Sequence, residues 1–600
     1  MDSRSVPERE TKLSVLYNFV GLSCFLAFLS LTLVLLSRRF CSDLLSLQKP
    51  FECVTMDKMK LFNHFVWALV CVSFMACSEH ESGGDSGAQQ PLGQVNVPRR
   101  NPFLAQEHYS ITHFNSAQTD AFPYKVADGT FYADPDACEG GWSGPVNLMT
   151  LSAAADGYMW GMSSDRVSYY RTADGAFTKL GEAGLPSGTL KTEEQLRQLS
   201  AKYASTQELY NAIVPFLGQN PMFAIASGNY VLCDKDNYAY TNIGTCIARY
   251  RLADASQPEK GIVLDRQLDI SGSVVGAKTL VGVVMTYDGY LVVGYNRGIV
   301  IVDRELTGVI DTCPLPDGQV LTNSVAVDEQ NGIYVASNSQ LENGDGRMQK
   351  IVWKNRRLST DEADGAWSAS YDGGPNAPSI KMGTGTGSTP TLMGFGDDED
   401  RLVVITDGAR RMKIVAFWRD DIPADAREVV SGNPRVADVY EVTCGLPKET
   451  EWVQSEQSVV CAGYGAFVVN NVLTGAPTTG DKVVDVLAIG PLIETPRGVE
   501  RLRWDTASNC WETVWAKGDI SSPSMIPAVS TASEMVFVNG YSAADGWEVT
   551  GLDWNTGVVR HRVIFGDTSR GNGTYAIIQY LENGDLLFNS VSGPYRVHLQ

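Results

Sequence analysis

From about residue 140 to its end, the chain repeats one unit of apolar strand, tight turn and second apolar strand, often with two more strands. The clearest copy runs from Thr279 to Thr286, turns at Asp288-Gly289 and resumes from Tyr290 to Gly294. The stretches Asn147–Ser152 with Asp156-Gly157, and Asn323–Asp328 with Asn331-Gly332, repeat it. So does Thr391–Gly396, followed by an acidic turn at Asp397–Asp400. Ser524–Val529 with Met535–Asn539, and Thr574–Gln579 with Asp585–Asn589, are two more, and weaker copies begin near Met222 and Gln457. Asp-Gly and Asn-Gly between apolar runs mark hairpins, because both central residues of the favoured turn need positive φ. The units follow one another every 45 to 75 residues or so, somewhat longer than compact four-stranded propeller repeats.

Third and fourth strands are visible where Gly298–Asp303 leads to Val309, where Trp547–Asp553 leads to Val558, and where Leu502–Asp505 leads to Trp511. A radial array of such sheets protects most strand edges. The expected fold is therefore an all-β β-propeller of eight blades, with seven as the alternative because the Met222 unit is irregular. A linear solenoid or two packed sandwiches are the rival architectures. The last copy has three strands before Gln600, so the stretch from His108 to Phe131 is expected to supply an outer strand and close the ring. One helical insertion interrupts the pattern near residues 192–217, where apolar residues fall at helical intervals and Thr192 can cap the first turn.

The N-terminal region reads differently. Lys58 and Lys60 precede an apolar run from Leu61 to Met75, and Ala76-Cys77 follows it. This order resembles a bacterial lipoprotein signal peptide over residues 56–76, with Phe74 at the usual aliphatic position. The resemblance implies lipidation of Cys77 and a place in the bacterial cell envelope, facing the periplasm or exterior. Residues 77–100 then read as a flexible tether rich in Ser, Gly and acids, and 101–600 as the propeller domain. Leu13–Ser37 carries no charge and is long enough to span a bilayer. Residues 1–55 are thus either upstream of a true start at Met56 or Met59, or an anchor helix.

A net charge of −21 argues against nucleic acid, which needs clustered Lys and Arg. Membrane association is expected to rest on the lipid, and partners are a small molecule or an envelope protein. After Cys77 come Cys138, Cys233, Cys246, Cys313, Cys444, Cys461 and Cys510. In an exported protein, Cys233–Cys246 and Cys444–Cys461 are the preferred disulfides, since each pair flanks a short excursion. No C-x-x-C occurs and histidines are scarce, so no metal site is expected from these residues.

The turns Asp303–Gly308 and Asp553–Gly557 resemble the D-x-x-T-G turn of quinoprotein dehydrogenase-like propellers. That resemblance implies an eight-bladed ring with pyrroloquinoline quinone and calcium on its axis. The chain departs from it in lacking an adjacent cysteine pair, a C-x-x-C-H motif and an alignable calcium-binding set of Glu, Asn and Asp. The segment from Asn323 to Ser337 is similar to the inner strand of sugar-lactone hydrolases and strictosidine synthase-like propellers. There an axial Asn helps to hold a divalent cation, although Ser388–Leu392 lacks the matching acid. For Asn323 the other reading is a cap that bonds a neighbouring loop.

The Gly383–Thr391 run can present amides to an anion or act as a connector into an inner strand. Ser359–Trp367 is similar to the Asp-box turn of sialidases, and Asp397–Asp400 is either a calcium site or a solvated turn. Residues preceding inner strands line the axial channel of a propeller. The expected ligand-binding positions are therefore Asn147, Asn323, Thr389, Thr391, Ser524 and Asn572, acting through hydrogen bonds. The function expected is binding of a small ligand or protein partner at the axis. A propeller enzyme of quinoprotein-dehydrogenase or metal-dependent lactonase type is the alternative.

Overall fold

The computed structural model describes residues 90–600 apart from 146–148, 153, 187–188, 218–226, 379–380, 382–383, 474–478, 480 and 600. The described residues belong to one compact unit, Gln89–Gln600. Cys77, the export and upstream segments, and Asn147 lie outside them. No helix among the described residues is long and apolar enough to cross a membrane.

Eight sheets account for the strands among the described residues, and antiparallel neighbours in sequence order dominate each one. They begin at Met149, Val231, Leu280, Gln319, Thr391, Val460, Ala528 and Gln579. Contacts run from each sheet to the next, and the last meets the first where Glu139–Gly140 approaches Thr178–Gly184. The fold is a β-propeller. Burial follows from this packing. The second strand of the third sheet, Leu291–Tyr295, is buried on both faces because sheets flank it on either side. The outermost strand of the second sheet, Ile262–Asp269, is mostly exposed or half-buried. Five tryptophans, Trp160, Trp418, Trp504, Trp547 and Trp554, are among the largest fully buried side chains.

The hairpin turns lie where the sequence places them. Gly157 and Gly289 have φ of 77° and 88°, and Asn331 has φ of 65°. In the Asp553 turn the carboxylate accepts from the Thr556 hydroxyl at 2.8 Å and its amide at 2.9 Å, which is turn chemistry. The acidic turn is likewise occupied by the protein itself. Asn96 donates to Asp397 and Asp398, both at 2.8 Å, and Trp504 Nε1 donates to Asp400 at 2.7 Å. In the stretch similar to an Asp-box, Asp361 caps a short turn by accepting from the Ala363 amide at 2.9 Å.

The helical insertion forms α1 (Glu193–Leu199) and α2 (Thr206–Leu217). Thr192 and Gln195 cap α1 reciprocally, each side chain accepting from the other's amide. A third helix, α3 (Lys482–Ala488), sits in the connection between the second and third strands of the sixth sheet and packs against α2.

Two expectations are corrected. The outer strand of the last sheet comes from Glu139–Gly140, paired with Tyr595 and Arg596, and lies beyond the stretch from His108 to Phe131. That stretch has other work. Ala121–Phe122 pairs in parallel with the innermost strand of the seventh sheet, and Gly129–Tyr132 with its outermost. The second correction concerns the disulfides, since all seven described cysteines are free. Cys233 pairs with Ala239 and Cys246 with Ile243, so the length of one strand separates them. Cys461 lies in the innermost strand of the sixth sheet, whereas Cys444 packs on Gly498 in the third. Burial pushes the Cys233 and Cys444 thiols well up, which keeps them protonated.

Candidate functional site: the axial chamber

The two ends of the propeller axis are built from different parts of the chain. At the end toward which the innermost strands run, residues 90–122 form a strap. Its first pass crosses the hairpin tips, with the Leu92 amide donating to Glu534 at 2.8 Å and Asn101 Nδ2 donating to the Met285 carbonyl at 2.9 Å. Its second pass enters the channel. The carbonyls of Ser116, Ala117, Thr119 and Asp120 accept from the amides of Val327, Leu392, Cys461 and Val529 in four successive sheets. Tyr109 donates to the Tyr580 carbonyl at 2.7 Å. His113 Nδ1 and Asp120, both buried, pair at 2.9 Å within the strap. Tyr109, His113, Phe114, Gln118 and Asp120 all have positive φ, the tight curvature needed to pass around an axis.

At the other end, residues just before the innermost strands converge. Tyr230 donates to Asn323 Oδ1 at 2.6 Å, and Thr389 donates to the same oxygen at 3.0 Å. Asn323 Nδ2 donates to the Gly387 carbonyl at 2.8 Å. Asn323 can face inward because the first strand of its sheet is interrupted between Gln319–Val320 and Ala326–Val327. The Glu456 carboxylate accepts a hydrogen bond from the Tyr575 hydroxyl, and its charge is felt at Tyr230, Lys381 and Lys482. One carboxylate therefore links groups carried by the second, fifth, sixth and eighth sheets and their connections.

Lys381 donates to the Gly385 carbonyl at 2.6 Å and to Gln454 Oε1 at 2.5 Å. Lys482, at the start of α3, donates to the Lys381 carbonyl. Burial lowers the Lys381 ammonium to about 8, with Glu456 and Asp407 pulling it back up. Burial also lowers Lys482. Burial and then the Glu456 charge raise both tyrosines, so their hydroxyls stay protonated as donors. Tyr575 has φ of 57°, a conformation that is strained for an aromatic residue and is held here by its surroundings. Above it, α3 presents buried Val483, Val486 and Leu487, and Asn572 Nδ2 donates to the Val486 carbonyl at 3.1 Å.

Among the expected ligand-binding residues, Asn323 and Thr389 meet directly in this chamber. Asn323 also bonds a neighbouring loop, as its capping alternative requires. Thr391 donates to the Val459 carbonyl at 2.8 Å and ties the fifth sheet to the sixth. Asn572 accepts from Thr574 at 2.8 Å while it anchors α3. Ser524 is buried at 2 % exposure. The described part of the Gly383–Thr391 run is a connector fitted closely to its surroundings. A Cβ on Gly385 would lie 2.0 Å from Asn338 Oδ1. Glu456, Tyr575, Tyr230, Lys381 and Lys482 are the residues that sequence reasoning missed. Tyr230, Glu456 and Tyr575 share with Asn323 and Thr389 a position before an inner strand, and differ from them in being large or charged.

The residues at hand do not suit axial calcium. Calcium takes six to eight oxygens, usually with several carboxylates. Here two ammonium groups lie beside Glu456, with Asp407 and Asp485 also acting on them, and no described cluster of three or more His, Cys, Asp or Glu residues could hold a metal.

No family profile matches the sequence. An uncharacterized protein of Archaeoglobus fulgidus is 32 % identical over 300 residues, which cover 47 % of this chain and 54 % of that protein. The chain thus spans about half the length of the curated relative it matches. Among solved structures, a europium-containing methanol dehydrogenase aligns over 80 % of this chain and 89 % of its own, at 10 % identity and a TM-score of 0.45. A periplasmic gluconolactonase of Pseudomonas aeruginosa aligns over 68 % and 96 %, at 13 % identity and a TM-score of 0.35.

Proposed function

We propose that this protein is a lipid-anchored, extracytoplasmic β-propeller that binds a small polar ligand in the axial chamber. The observation that carries the reading is the convergence of Glu456, Tyr575, Tyr230 and Asn323 before the innermost strands of four sheets. With Lys381 and Lys482 beside it, this set offers a carboxylate acceptor, phenolic donors and two ammonium groups. Small binding sites use a few placed polar groups of this kind. Strain at Tyr575 supports the reading, because strained backbone concentrates where ligands are held.

The test is a thermal-shift screen of small polyols, hydroxy acids and lactones against the full chain and its Glu456→Gln variant. A compound that stabilises the first and not the second supports the chamber. Hits that persist in both remove it. Labelling cells with an alkynyl fatty acid, with Cys77→Ser as control, tests the anchor. An envelope protein as the axial partner would instead appear on co-purification with the full chain and be lost on Glu456→Gln.

Catalysis is the second reading, favoured by Lys381 at about 8 beside an acceptor carboxylate, a pairing suited to proton transfer near neutral pH. It would proceed by acid–base chemistry on a bound substrate, and product formation from a screened lactone would support it.

A further inference from the structure

The strap end of the axis holds a cavity of about 230 Å³ that is separate from the chamber. It lies between the two passes of the strap, Val97–Ala105 on one side and Glu107–Pro123 on the other. Its walls are aromatic and aliphatic. Phe114 and Phe122, both buried, meet edge to face with centroids 6.4 Å apart, and the His108 ring lies 5.9 Å from Phe114. Burial lowers His108 to about 4, so its imidazole is neutral at ordinary pH, and its Nε2 is 3.2 Å from the Ala121 carbonyl.

Two neutral polar groups of the lining serve each other. Asn115 Nδ2 donates to Thr119 Oγ1 at 2.7 Å, and Asn115 Oδ1 accepts from the Ala117 amide at 3.1 Å. The arginines of the lining form no such close pair among the described residues. Arg99 and Arg100 line the cavity with exposed side chains, and neither has an ion-pair partner among the described residues. Glu107 is the acid in the lining, with Asp156 and Glu582 within reach of its charge. Burial and those two acids raise its carboxyl, while Arg100 opposes them. The mouth thus carries two arginines over an apolar floor, while Asp156 and Glu582 act on Glu107.

We propose that this cavity is a second ligand site that takes a small carboxylate with an aromatic or branched apolar body. Cavities of about 150 Å³ lined by apolar side chains admit benzene, so the space here fits a ring with a short side arm. Phe114 and Phe122 would receive that body, and Arg100 would pair with the carboxylate at the mouth.

Calorimetry on the full chain in detergent, with phenylacetate, benzyl alcohol and benzylamine as probes, tests the proposal. Phenylacetate should bind once per chain and about tenfold more tightly than the other two, the worth of one charge-assisted contact. Arg100→Gln, a change at an exposed side chain, should reduce it to the level of benzyl alcohol. Glu456→Gln should leave phenylacetate binding unchanged. Equal affinity for all three probes, or no binding by any, would overturn the proposal. So would insensitivity to a combined Arg99→Gln and Arg100→Gln change, or loss of phenylacetate binding in Glu456→Gln, which would place it in the axial chamber.

Discussion

The strap end and the chamber end of the axis are built from different kinds of contact. The strap closes its end with backbone, its carbonyls accepting from amides of the innermost strands in four sheets. The chamber end is built from side chains: Glu456 and Tyr575, the Tyr230–Asn323–Thr389 chain and the apolar face of α3. Backbone pairing is indifferent to residue type and yields no chemistry, so it suits a seal. Side-chain closure concentrates charge and hydroxyl groups in a dry space, where each interaction is stronger and more specific.

If the strap is the seal, the largest effect should come from its core contact. Phe122 is fully buried, and its ring stacks on Tyr580 at 5.8 Å and on Phe537 at 6.1 Å. Phe122→Ala should lower unfolding stability by about 3–5 kcal/mol in urea titrations, the usual cost of emptying a buried aromatic site. A loss below 1 kcal/mol would mean that the strap is an accessory. Asp120→Ala should follow at about 3 kcal/mol, because it strands a buried His113. In the chamber, Tyr575→Phe should cost about 2 kcal/mol, one hydrogen bond to a carboxylate, in the same measurement. Equal losses at the two ends would erase the contrast.

The two ends should also respond at opposite ends of the pH scale. His108 binds its proton near 4 when folded and near 6.5 when unfolded, so the unfolded chain holds more protons between those values. Its contribution to stability should therefore fall as pH drops from about 6.5 to about 4, and His108→Gln should flatten that limb. Lys381 titrates near 8 when folded and near 10.5 when unfolded. Again the unfolded chain is the more protonated, so stability from this group should rise as pH climbs from about 8 toward 10. Lys381→Met should remove the rise in melting temperature across that window. The smallest effect concerns the thiols. The buried Cys233, Cys444 and Cys461 should stay unreactive to a thiol reagent in the native full chain and react on denaturation, with identical mobility under reducing and non-reducing conditions.

The sheets were legible because hairpins announce themselves locally. Asp288-Gly289 and Asn331-Gly332 need nothing beyond their neighbours to be read as turns. The strap was not legible, since its pairing partners lie hundreds of positions away and its curvature rests on residues such as His113 and Gln118 that rarely adopt positive φ. Helix α3 was missed for a related reason. Its run Lys482-Val-Val-Asp-Val-Leu-Ala488 is rich in β-branched residues and buried almost throughout, so it carries no amphipathic stripe. Asn323 and Thr389 were legible as short polar residues that precede inner strands. Glu456 and Tyr575 sit in equivalent places, but only the assembled axis gives them each other.

The order of synthesis gives the strap one more consequence. Tyr109 is bound to Tyr580, which lies 471 positions further along the chain, so the first part of the domain to be made cannot settle until nearly the last has arrived. A polypeptide cut short before Tyr580 would keep most of these hairpins yet leave this strap segment loose and open to proteolysis. Seating of the strap therefore reports that the eighth sheet has been made.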